Sequence, residues 1–351
     1  MQRFEDWLFE SEPGWLGEIL RSPFSALSIP YLALVKLRTL AYHHKILPSH
    51  KALIPVISIG NLSLGGTGKT PLTIWLAEKL MTKGIMPAIS IRGYLSKAEK
   101  KLLILNKNSR ENLNPKLIGD EACLLAQKLK NVPVIVGKNR VVASKIAKDL
   151  CSQVLILDDG FQHLKLKRNL DILLLDATKS LFKEKIFPRG RLREPISAIK
   201  RANIIIISRA SELNEKIISE IKSLNQDCPI FKMRYKVVDS EILFSRKAYA
   251  FAGIADPEQF FNMLTSIGIQ LIGKRAFSDH HYYQESELRE LEKDAIIKGA
   301  EMLLTTEKDF MRIKNFKMSI PVHPVRIEPE FFAEEEKLLI TVIDALKERD
   351  D

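Results

Sequence analysis

The chain has 351 residues, 46% of them hydrophobic and 28% charged, the usual balance of a globular protein long enough for two domains. Its net charge of +11 favours anionic partners such as nucleotides or a membrane surface, but neither zinc-finger spacing nor an aromatic-rich RNA-binding strand accompanies it, so no nucleic-acid partner is expected. The three cysteines are widely spaced, which excludes a disulfide framework and structural zinc and suits a reducing compartment.

The first fifty residues are unusual in charge. Residues 19–50 contain no acid, and the stretch between Arg21 and Lys36 is uncharged, mostly apolar and interrupted by two prolines. It is too short and too broken to predict a membrane-spanning helix, and nothing resembles a cleavable signal. We expect a helix over about residues 30–47. From the residues alone, this helix fits either shallow contact with an anionic membrane surface or packing on the protein's own core.

The strongest motif follows an apolar strand predicted at residues 54–59. Residues 64–70 read Leu-Gly-Gly-Thr-Gly-Lys-Thr, the strand–turn–helix layout of a phosphate-binding P-loop, with Ser63 in place of the first glycine of the strict pattern. Glycines allow main-chain N–H groups to converge on phosphate, and the helix N-terminus adds partial positive charge. Lys69 is expected to reach the β- and γ-phosphates, and the Thr70 hydroxyl to bind Mg²⁺. The predicted nucleotide contacts are Gly65, Gly66, Thr67, Gly68, Lys69 and Thr70.

Beyond the P-loop, short apolar strands alternate with helices, which predicts an α/β fold with a mostly parallel sheet. Near residue 230 the pattern changes, and residues 231–238 and 241–246 are predicted to form a two-stranded β-ribbon. The α/β alternation then resumes at residue 248. The predicted divisions are an N-terminal arm packed on the first domain (1–50), a P-loop nucleotide-binding domain (51–229), a β-ribbon linker (230–247) and a smaller C-terminal α/β domain (248–351).

Two carboxylates end the apolar strand predicted at residues 154–157. Asp158 and Asp159 occupy the strand's C-terminal end, where ligands of α/β sheets collect. An apolar strand ending in a carboxylate holds Mg²⁺ beside the P-loop of phosphoryl-transfer enzymes. Acids at strand ends also cap helices, but with a P-loop present we predict metal coordination by Asp158. For Asp159, direct and water-mediated binding remain equally open.

A second group of charged residues lies in the proline-bounded loop 190–195. Arginine bridges phosphate oxygens and neutralises charge that develops in a transition state, which is a possible role for Arg193. Glu194 is a candidate to complete the metal site or to orient the arginine. From the residues alone, a surface loop of salt bridges is an equal alternative.

Two polar segments are candidates for acid–base chemistry. Asp120 follows Gly119 at the start of a predicted helix, where an N-cap is the commoner role. Residues 279–282, Asp-His-His-Tyr, fit a metal cluster, an acid–base pair or a polar loop. A carboxylate and an imidazole that meet from distant segments would form a base for an alcohol proton, but spacing alone cannot show such a meeting.

Taken together, these segments resemble the tetraacyldisaccharide 4′-kinases of lipid A biosynthesis. The resemblance rests on motifs that occur in the family's order and span roughly residues 20–310. The motifs are GNLSLGGTGKTP at 60–71, RGY at 92–94, GDE at 119–121, VGKNR at 136–140, LDDGFQH at 157–163, LREP at 192–195, FSDHH at 277–281 and TTEKD at 305–309.

The resemblance implies a reaction and a location. The γ-phosphate of ATP would move to the 4′-hydroxyl of a tetraacylated glucosamine disaccharide 1-phosphate, giving lipid IVA, with Mg²⁺ as cofactor. The fold would be a P-loop α/β/α domain joined by a β-ribbon to a smaller α/β/α domain, with the nucleotide site between them. The enzyme would attach peripherally to the cytoplasmic face of the bacterial inner membrane, where its acylated substrate resides, without an obligate protein partner. This implication shifts the interpretation of residues 19–50 toward contact with membrane and acyl chains.

The family's functional residues carry over by motif. Catalytic roles fall to Lys69, Arg193 and the base formed by Asp120 with a histidine of the 280–281 pair; we choose His280, directly after Asp279. The implied metal site comprises Thr70, Asp158, Asp159 and Glu194. The implied contacts to the sugar substrate are Arg92, Tyr94, Gln162 and His163, and those to the nucleotide base are Glu307 and Lys308.

The chain departs from the family pattern in one loop that matters here. Residues 187–192 read Phe-Pro-Arg-Gly-Arg-Leu, where Leu-Pro-Ala-Gly-Pro-Leu is usual. The extra arginines leave the conformation of this loop open. The main rival function is a P-loop switch ATPase or GTPase, and Leu64 argues against it because many dimeric ATPases of that kind carry lysine there. A soluble small-molecule kinase is a second rival, which would have no need of the apolar basic arm.

Overall fold

The computed structural model describes residues 9, 14–94, 96–106, 113–179, 181–210, 215–238, 241–244 and 246–347. Its α-helices are α1 (Gly14–His43), α2 (Lys69–Thr82), α3 (Pro115–Ile118), α4 (Asp120–Lys128), α5 (Arg140–Asp149), α6 (Glu215–Leu224), α7 (Glu241–Phe244), α8 (Pro257–Ser266), α9 (Glu285–Ile297), α10 (Glu307–Ile313) and α11 (Glu335–Lys347). Its strands are β1 (Val56–Gly60), β2 (Pro87–Ile91), β3 (Leu103–Leu105), β4 (Val134–Val136), β5 (Val154–Asp158), β6 (Leu170–Asp176), β7 (Ile204–Ser208), β8 (Ile230–Val237), β9 (Ala248–Ala252), β10 (Leu271–Ala276), β11 (Met302–Thr306), β12 (Val322–Val325) and β13 (Ile327–Phe331).

Nine strands form one large sheet in the order β13-β8-β7-β6-β1-β5-β2-β4-β3. Neighbours pair in parallel except at the two edges, where β3 runs antiparallel to β4 and β13 antiparallel to β8. The central strands are buried along their whole length, as expected for apolar runs in a parallel sheet covered on both faces. The predicted α/β class with a mostly parallel sheet is confirmed.

Alternate residues of the central strands fill two cores. On one face, Ile57, Ile156 and Leu174 pack with residues of α2, α4 and α11. On the other face, Leu155 and Leu157 pack with α5, and residues of β6 and β7 pack with α6 and the segment around Ile199. This period-two alternation follows from strand geometry, which sends successive side chains to opposite faces.

A smaller sheet of four parallel strands follows, in the order β10-β9-β11-β12. Residues of α7 and α8 cover one of its faces, and residues of α9 and α10 cover the other. This second α/β/α unit comprises the strands between Ala248 and Val325.

The prediction that residues 241–246 form the second strand of a β-ribbon is wrong. Residues 241–244 form the single helical turn α7, and the strand that pairs with β8 is β13, which arrives from far along the chain with Met233 opposite Phe331. The apolar side chains of β13 explain this return, because Phe331 packs 4.6 Å from Trp75, centroid to centroid, and joins the core of the large sheet. Residues 327–347 therefore belong to the large sheet's side of the molecule, and not to the predicted C-terminal unit of 248–351.

The N-terminal helix is longer than predicted. α1 runs without interruption from Gly14 to His43 and contains both prolines, which lie exposed seven residues apart on one side of the helix. Each proline removes one N–H donor and crowds the carbonyl four residues earlier, and both prolines lie on the exposed side of the helix. By length and composition alone, residues 17–43 are long and apolar enough to cross a membrane. The expectation that this segment is too short and too broken by proline is therefore wrong.

The outward side of α1 is apolar. Leu20, Leu27 and Leu34 recur at seven-residue intervals and are 64%, 57% and 67% exposed, together with further exposed leucines and isoleucines of the helix. Ser28 and Tyr31 of the same helix contact the rest of the protein. α1 therefore contacts the protein along part of its surface and exposes apolar side chains elsewhere.

Candidate active site

The P-loop lies between β1 and α2, and two of its glycines have backbone angles that other residues avoid. Gly65 has φ +101° and Gly68 has φ +88°, both in the left-handed region. A Cβ atom on Gly68 would also lie 1.6 Å from the hydroxyl oxygen of Tyr235, so glycine is required there on two grounds. Because α2 begins at Lys69, its unpaired N-terminal N–H groups lie at this loop.

Neighbouring side chains hold the P-loop backbone in place. The Tyr235 hydroxyl donates to the carbonyl of Gly68 at 3.2 Å, and the Asn61 amide donates to the Thr67 hydroxyl at 3.0 Å. These contacts consume a carbonyl and a side chain of the loop. Both contacts stabilise the loop conformation from the protein side, which favours preorganised binding of a phosphate.

The acidic pair lies directly beside the P-loop because β1 and β5 are neighbours in the sheet. The Thr70 hydroxyl donates to Asp158 Oδ2 at 3.1 Å. Asp158 is buried, and its other oxygen, Oδ1, has no hydrogen-bond partner among the described residues. Burial, and next the negative charge of Glu121, raise the pKa of Asp158 to about 7. A buried carboxylate oxygen with no donor is a place where a cation would be stabilised.

Asp159 has a different environment. Its carboxylate lies 3.7 Å from Lys69 Nζ and 2.8 Å from a guanidinium nitrogen of Arg193. Loss of hydration opposes ionisation of Asp159, but the charges of Lys69 and Arg193 prevail and lower its pKa to about 2. In this structure Asp159 pairs with two cationic side chains, Lys69 and Arg193.

Glu194 has a cationic partner of its own. It is buried, and Arg201 NH1 lies 2.6 Å from its Oε2. Within the described part of the chain, no three His, Cys, Asp or Glu side chains gather as a metal cluster. The predicted metal set is therefore assembled only in part: Thr70 and Asp158 are in contact, Asp159 is adjacent and paired with cations, and Glu194 is paired with Arg201.

Asp120 and His280 meet, as the sequence could only suggest. His280 Nδ1 lies 3.3 Å from Asp120 Oδ2. The N-cap of α4 is Gly119, and the Asp120 side chain makes no cap, so the helix-capping alternative is not what the structure shows. The hydrogen bond with Asp120 raises the pKa of His280, although burial opposes this. Burial also opposes ionisation of Asp120, but His280 and the charges of Lys308 and Arg312 hold the pKa of this carboxyl well below its usual range.

His281 belongs to another network. Its Nε2 lies 2.9 Å from Glu287 Oε2, and its ring stacks on Phe277 at 4.9 Å between centroids. Of the two adjacent histidines, His280 is the one placed against Asp120. The reason is local: His280 has φ +56°, which turns the backbone there and sends the two rings apart.

Two of the predicted sugar contacts lie after β2 and two after β5. These are adjacent parallel strands, so the following loops share one edge of the sheet with the P-loop. Tyr94 is 55% exposed, and its ring lies 6.2 Å from that of His280. Arg92 pairs with Glu99 at 2.7 Å. The Gln162 amide donates to the carbonyl of Asn61 at 2.9 Å.

His163 lies in strongly basic surroundings. Burial, and next the charges of Arg140 and Arg168, lower the pKa of His163 to about 4, so its imidazole is neutral at physiological pH. Its Nε2 atom is buried with no hydrogen-bond partner among the described residues. A neutral ring with an unpaired nitrogen is suited to hydrogen bonding with a ligand hydroxyl.

Glu307 and Lys308 lie at the start of α10, where they face α4. Lys308 pairs with Glu121, and Glu307 pairs with Lys128. These ion pairs connect the small α/β unit to the large one. The predicted contact of Glu307 and Lys308 with the nucleotide base stays a prediction.

Three residues of the site were not predicted as site residues from the sequence. Arg312 of α10 is buried and donates to Asp120 and, at 2.8 Å, to Asp309. Arg140 is buried behind the acidic pair and donates to the carbonyl of Asp158 at 2.9 Å. Tyr31 of α1 donates to the carbonyl of Arg193, also at 2.9 Å. Each partner is distant in the chain, and spacing cannot reveal such contacts.

The fold and this site define a P-loop protein of the α/β class in which a histidine of the small unit contacts a carboxylate of the large one. The chain matches the family model described as tetraacyldisaccharide-1-P 4′-kinase over residues 20–347. It therefore belongs to this family of kinases.

Individual relatives agree with this assignment. The chain is 37% identical over 322 residues to the tetraacyldisaccharide 4′-kinase of Desulfotalea psychrophila, covering 88% of this chain and 92% of the relative. It is 36% identical over 310 residues to that of Geobacter metallireducens, covering 85% and 90% of the two chains. Among solved structures, it is similar to the "apo" form of LpxK from Aquifex aeolicus in complex with ATP, with a TM-score of 0.75, 31% identity, and coverage of 93% of this chain and 99% of that one.

Proposed function

We propose that this chain transfers the γ-phosphate of ATP to the 4′-hydroxyl of a tetraacyldisaccharide 1-phosphate, producing lipid IVA and ADP. The observation that carries the proposal is the juxtaposition of Asp120 with His280 in a chain of this family that also has a P-loop. A protein that only hydrolyses or senses a nucleotide has no need of a proton acceptor for an alcohol.

In the proposed step, the 4′-oxygen forms a bond to the γ-phosphorus while the bond from that phosphorus to the β,γ-bridging oxygen of ATP breaks. The proton of the hydroxyl passes to the Asp120–His280 pair, and ADP leaves with the bridging oxygen. His280 is the better proton acceptor of the two, because its hydrogen bond with Asp120 raises the pKa of the imidazole, whereas the pKa of the Asp120 carboxyl is held well below its usual range. Asp120, held ionised by Arg312, orients the imidazole and stabilises its charged form.

Charge that develops on the phosphate oxygens needs compensation. Lys69 and Arg193 are both ordered by Asp159, at 3.7 Å and 2.8 Å, and would turn their remaining donors to the phosphates. Fixed donors of this kind stabilise a transition state without reorganising.

Mg²⁺ is the cofactor that the donor set fits. The Thr70 hydroxyl and the unpartnered Oδ1 of Asp158 are hard oxygen ligands at the end of the P-loop, and Asp159 is a further candidate. When bound, Mg²⁺ would neutralise charge on the β- and γ-phosphates. Glu194 becomes a ligand only if it exchanges Arg201 for the ion.

The acylated substrate is proposed to reach the site from a membrane. The sugar would contact Arg92, Tyr94, Gln162 and His163. The exposed apolar side of α1 would lie in the cytoplasmic leaflet of the inner membrane, with the basic residues of the arm at anionic head groups. Peripheral attachment predicts release at alkaline pH in carbonate, whereas a spanning helix would stay with the bilayer.

The test is a lipid kinase assay with the full chain, Mg-ATP and purified tetraacyldisaccharide 1-phosphate. We expect a bisphosphorylated lipid, identified by mass, and a stoichiometric amount of ADP. Asp120→Asn, which keeps the shape of the side chain, should lower kcat by at least about 100-fold while ATP still binds. If the wild-type chain hydrolyses ATP or GTP but makes no phosphorylated lipid, the proposal is refuted and a switch ATPase or GTPase is favoured.

A further inference from the structure

The loop that carries Arg193 is part of the P-loop framework. We call residues 185–194 the arginine loop. Its backbone is bonded to the segment that leads into the P-loop, with Leu64 N–H donating to the carbonyl of Arg191 and Arg193 N–H donating to the carbonyl of Leu62, both at 2.7 Å. A shift of the arginine loop would therefore move both Arg193 and the main chain ahead of the phosphate-binding glycines.

α1 holds the same loop from the other side by hydrogen bonds. The Tyr31 hydroxyl donates to the carbonyl of Arg193 at 2.9 Å. Ser28 donates through Oγ to the carbonyl of Ile186 at 2.9 Å and accepts the N–H of Arg189 at 3.1 Å. α1 thus contacts the first half of the loop and its functional arginine.

An ion pair adds to these bonds. Arg189 NH2 lies 2.7 Å from Glu18 Oε1, and Lys185 Nζ lies 3.3 Å from the same oxygen. The Arg189 side chain is only 5% exposed, whereas Glu18 is 45% exposed. A nearly buried guanidinium needs its carboxylate, because an uncompensated buried charge is costly. Arg189 is also one of the two arginines by which this chain departs from the usual family loop.

We propose that α1 is a positioning element of the phosphate site, in which Tyr31 and the Glu18–Arg189 pair hold the arginine loop so that Arg193 stays against Asp159. This inference rests on the proposed kinase function. It assigns to the N-terminal helix a role in phosphoryl transfer that is separate from lipid contact. The two roles use different side chains, because Ser28 and Tyr31 hydrogen-bond to the arginine loop, whereas Leu20, Leu27 and Leu34 are exposed.

The test uses the full chain with detergent-dispersed lipid substrate. The variants are Tyr31→Phe, Glu18→Arg, Arg189→Glu and the charge-swapped double variant Glu18→Arg/Arg189→Glu. Lys274→Ala, which breaks an exposed ion pair with Glu258 of 2.6 Å on the small α/β unit, is the matched control. We expect each single variant to lower kcat about tenfold, since a small misplacement of a charge-stabilising group is expensive. The KM for lipid, vesicle binding and the control should be unchanged.

The double variant separates positioning from mere folding. Restoring attraction between residues 18 and 189 should recover most of the lost kcat, and Tyr31→Phe should act without a change in Tm, because it removes one hydroxyl group. Wild-type kcat in Tyr31→Phe and in both charge variants would overturn the inference, as would a folded double variant without recovery. If the wild-type chain makes no phosphorylated lipid at all, the proposed function fails instead, so the two failures are distinguishable.

Discussion

The imidazole of His280 and the carboxylate of Asp120 lie 3.3 Å apart, Nδ1 to Oδ2, although His280 follows a strand of the small sheet and Asp120 begins a helix that packs on the large one. The pair therefore exists only while the two α/β units are in contact. Arg312 of α10 donates to the same carboxylate, so its guanidinium and the His280 imidazole both contact Asp120 Oδ2. The reactivity of the site depends on the packing between the units.

The two adjacent histidines provide a matched comparison. His280→Gln should lower kcat by about 100-fold or more, because glutamine cannot accept a proton, and should leave the KM for ATP within about twofold. His281→Gln is the control, since His281 pairs with Glu287 and not with Asp120. Steady-state kinetics on both variants checks this, and equal losses would contradict the assignment of His280.

The pH dependence follows from the raised pKa of His280. Protonated His280 pairs with ionised Asp120, so this pair stabilises the fold fully below the ordinary value of 6.5 and its contribution is lost as the pH rises through the raised pKa. Activity should change in the opposite direction, because only the neutral ring accepts a proton. We therefore expect kcat/KM to rise with pH, and the midpoint of this rise to lie above pH 6.5. In His280→Gln that rise should be absent, and a rise that persists there would assign it to another group.

Gly68 is required by its backbone and its surroundings. Gly68→Ala should weaken Mg-ATP binding at least tenfold, because a methyl group would collide with Tyr235 and force the loop to move. Left-handed strain alone costs about 1–2 kcal/mol of stability. Gly84→Ala controls for it, since Gly84 has φ +76° and nothing lies within 4 Å of the added carbon. Thermal melts should show a loss of stability in both variants. Isothermal titration should show weakened Mg-ATP binding in Gly68→Ala only.

We expect the Asp158 carboxylate to destabilise the metal-free protein and to bind Mg²⁺. Asp158→Asn removes a buried carboxylate with an unpartnered oxygen, so Tm in EDTA should stay equal or rise. The rise in Tm that Mg²⁺ produces in the wild-type chain should be lost, because binding to the native state stabilises it. Asp344→Asn, an exposed change on α11, should keep the full response to Mg²⁺. A normal Mg²⁺ response in Asp158→Asn would move the cation site elsewhere.

The exposed face of α1 can be tested without disturbing the core. Leu27→Glu and Leu34→Glu should lower partitioning onto anionic phospholipid vesicles by at least tenfold, because charge replaces apolar area that would enter the bilayer. Melting temperatures should be unchanged, since both positions are exposed. Vesicle sedimentation checks this expectation, and unchanged partitioning would contradict membrane contact through this face of α1.

Features with a local cause could be predicted from the sequence. Apolar strands alternating with helices predicted the parallel sheet, and Gly65, Gly68 and Lys69 marked the P-loop because its geometry needs those residue types at fixed offsets. The ends of β1 and β5 were sufficient to expect Thr70 and Asp158 together, since parallel strands gather their carboxyl ends at one edge. The ribbon failed because its second strand comes from residues 327–331, and local pattern carries no information on a distant partner.

By itself, then, the sequence determined the nucleotide site, the α/β class and a family whose motifs stand in order along the chain. Only the tertiary structure decided that His280, and not His281, contacts Asp120, and that Arg201 forms an ion pair with Glu194. It also decided that α1 continues through its prolines and exposes apolar side chains. The reason is physical. Backbone propensities and short motifs act over a few residues, whereas ion pairs, burial and helix packing depend on which segments the fold brings within a few ångströms.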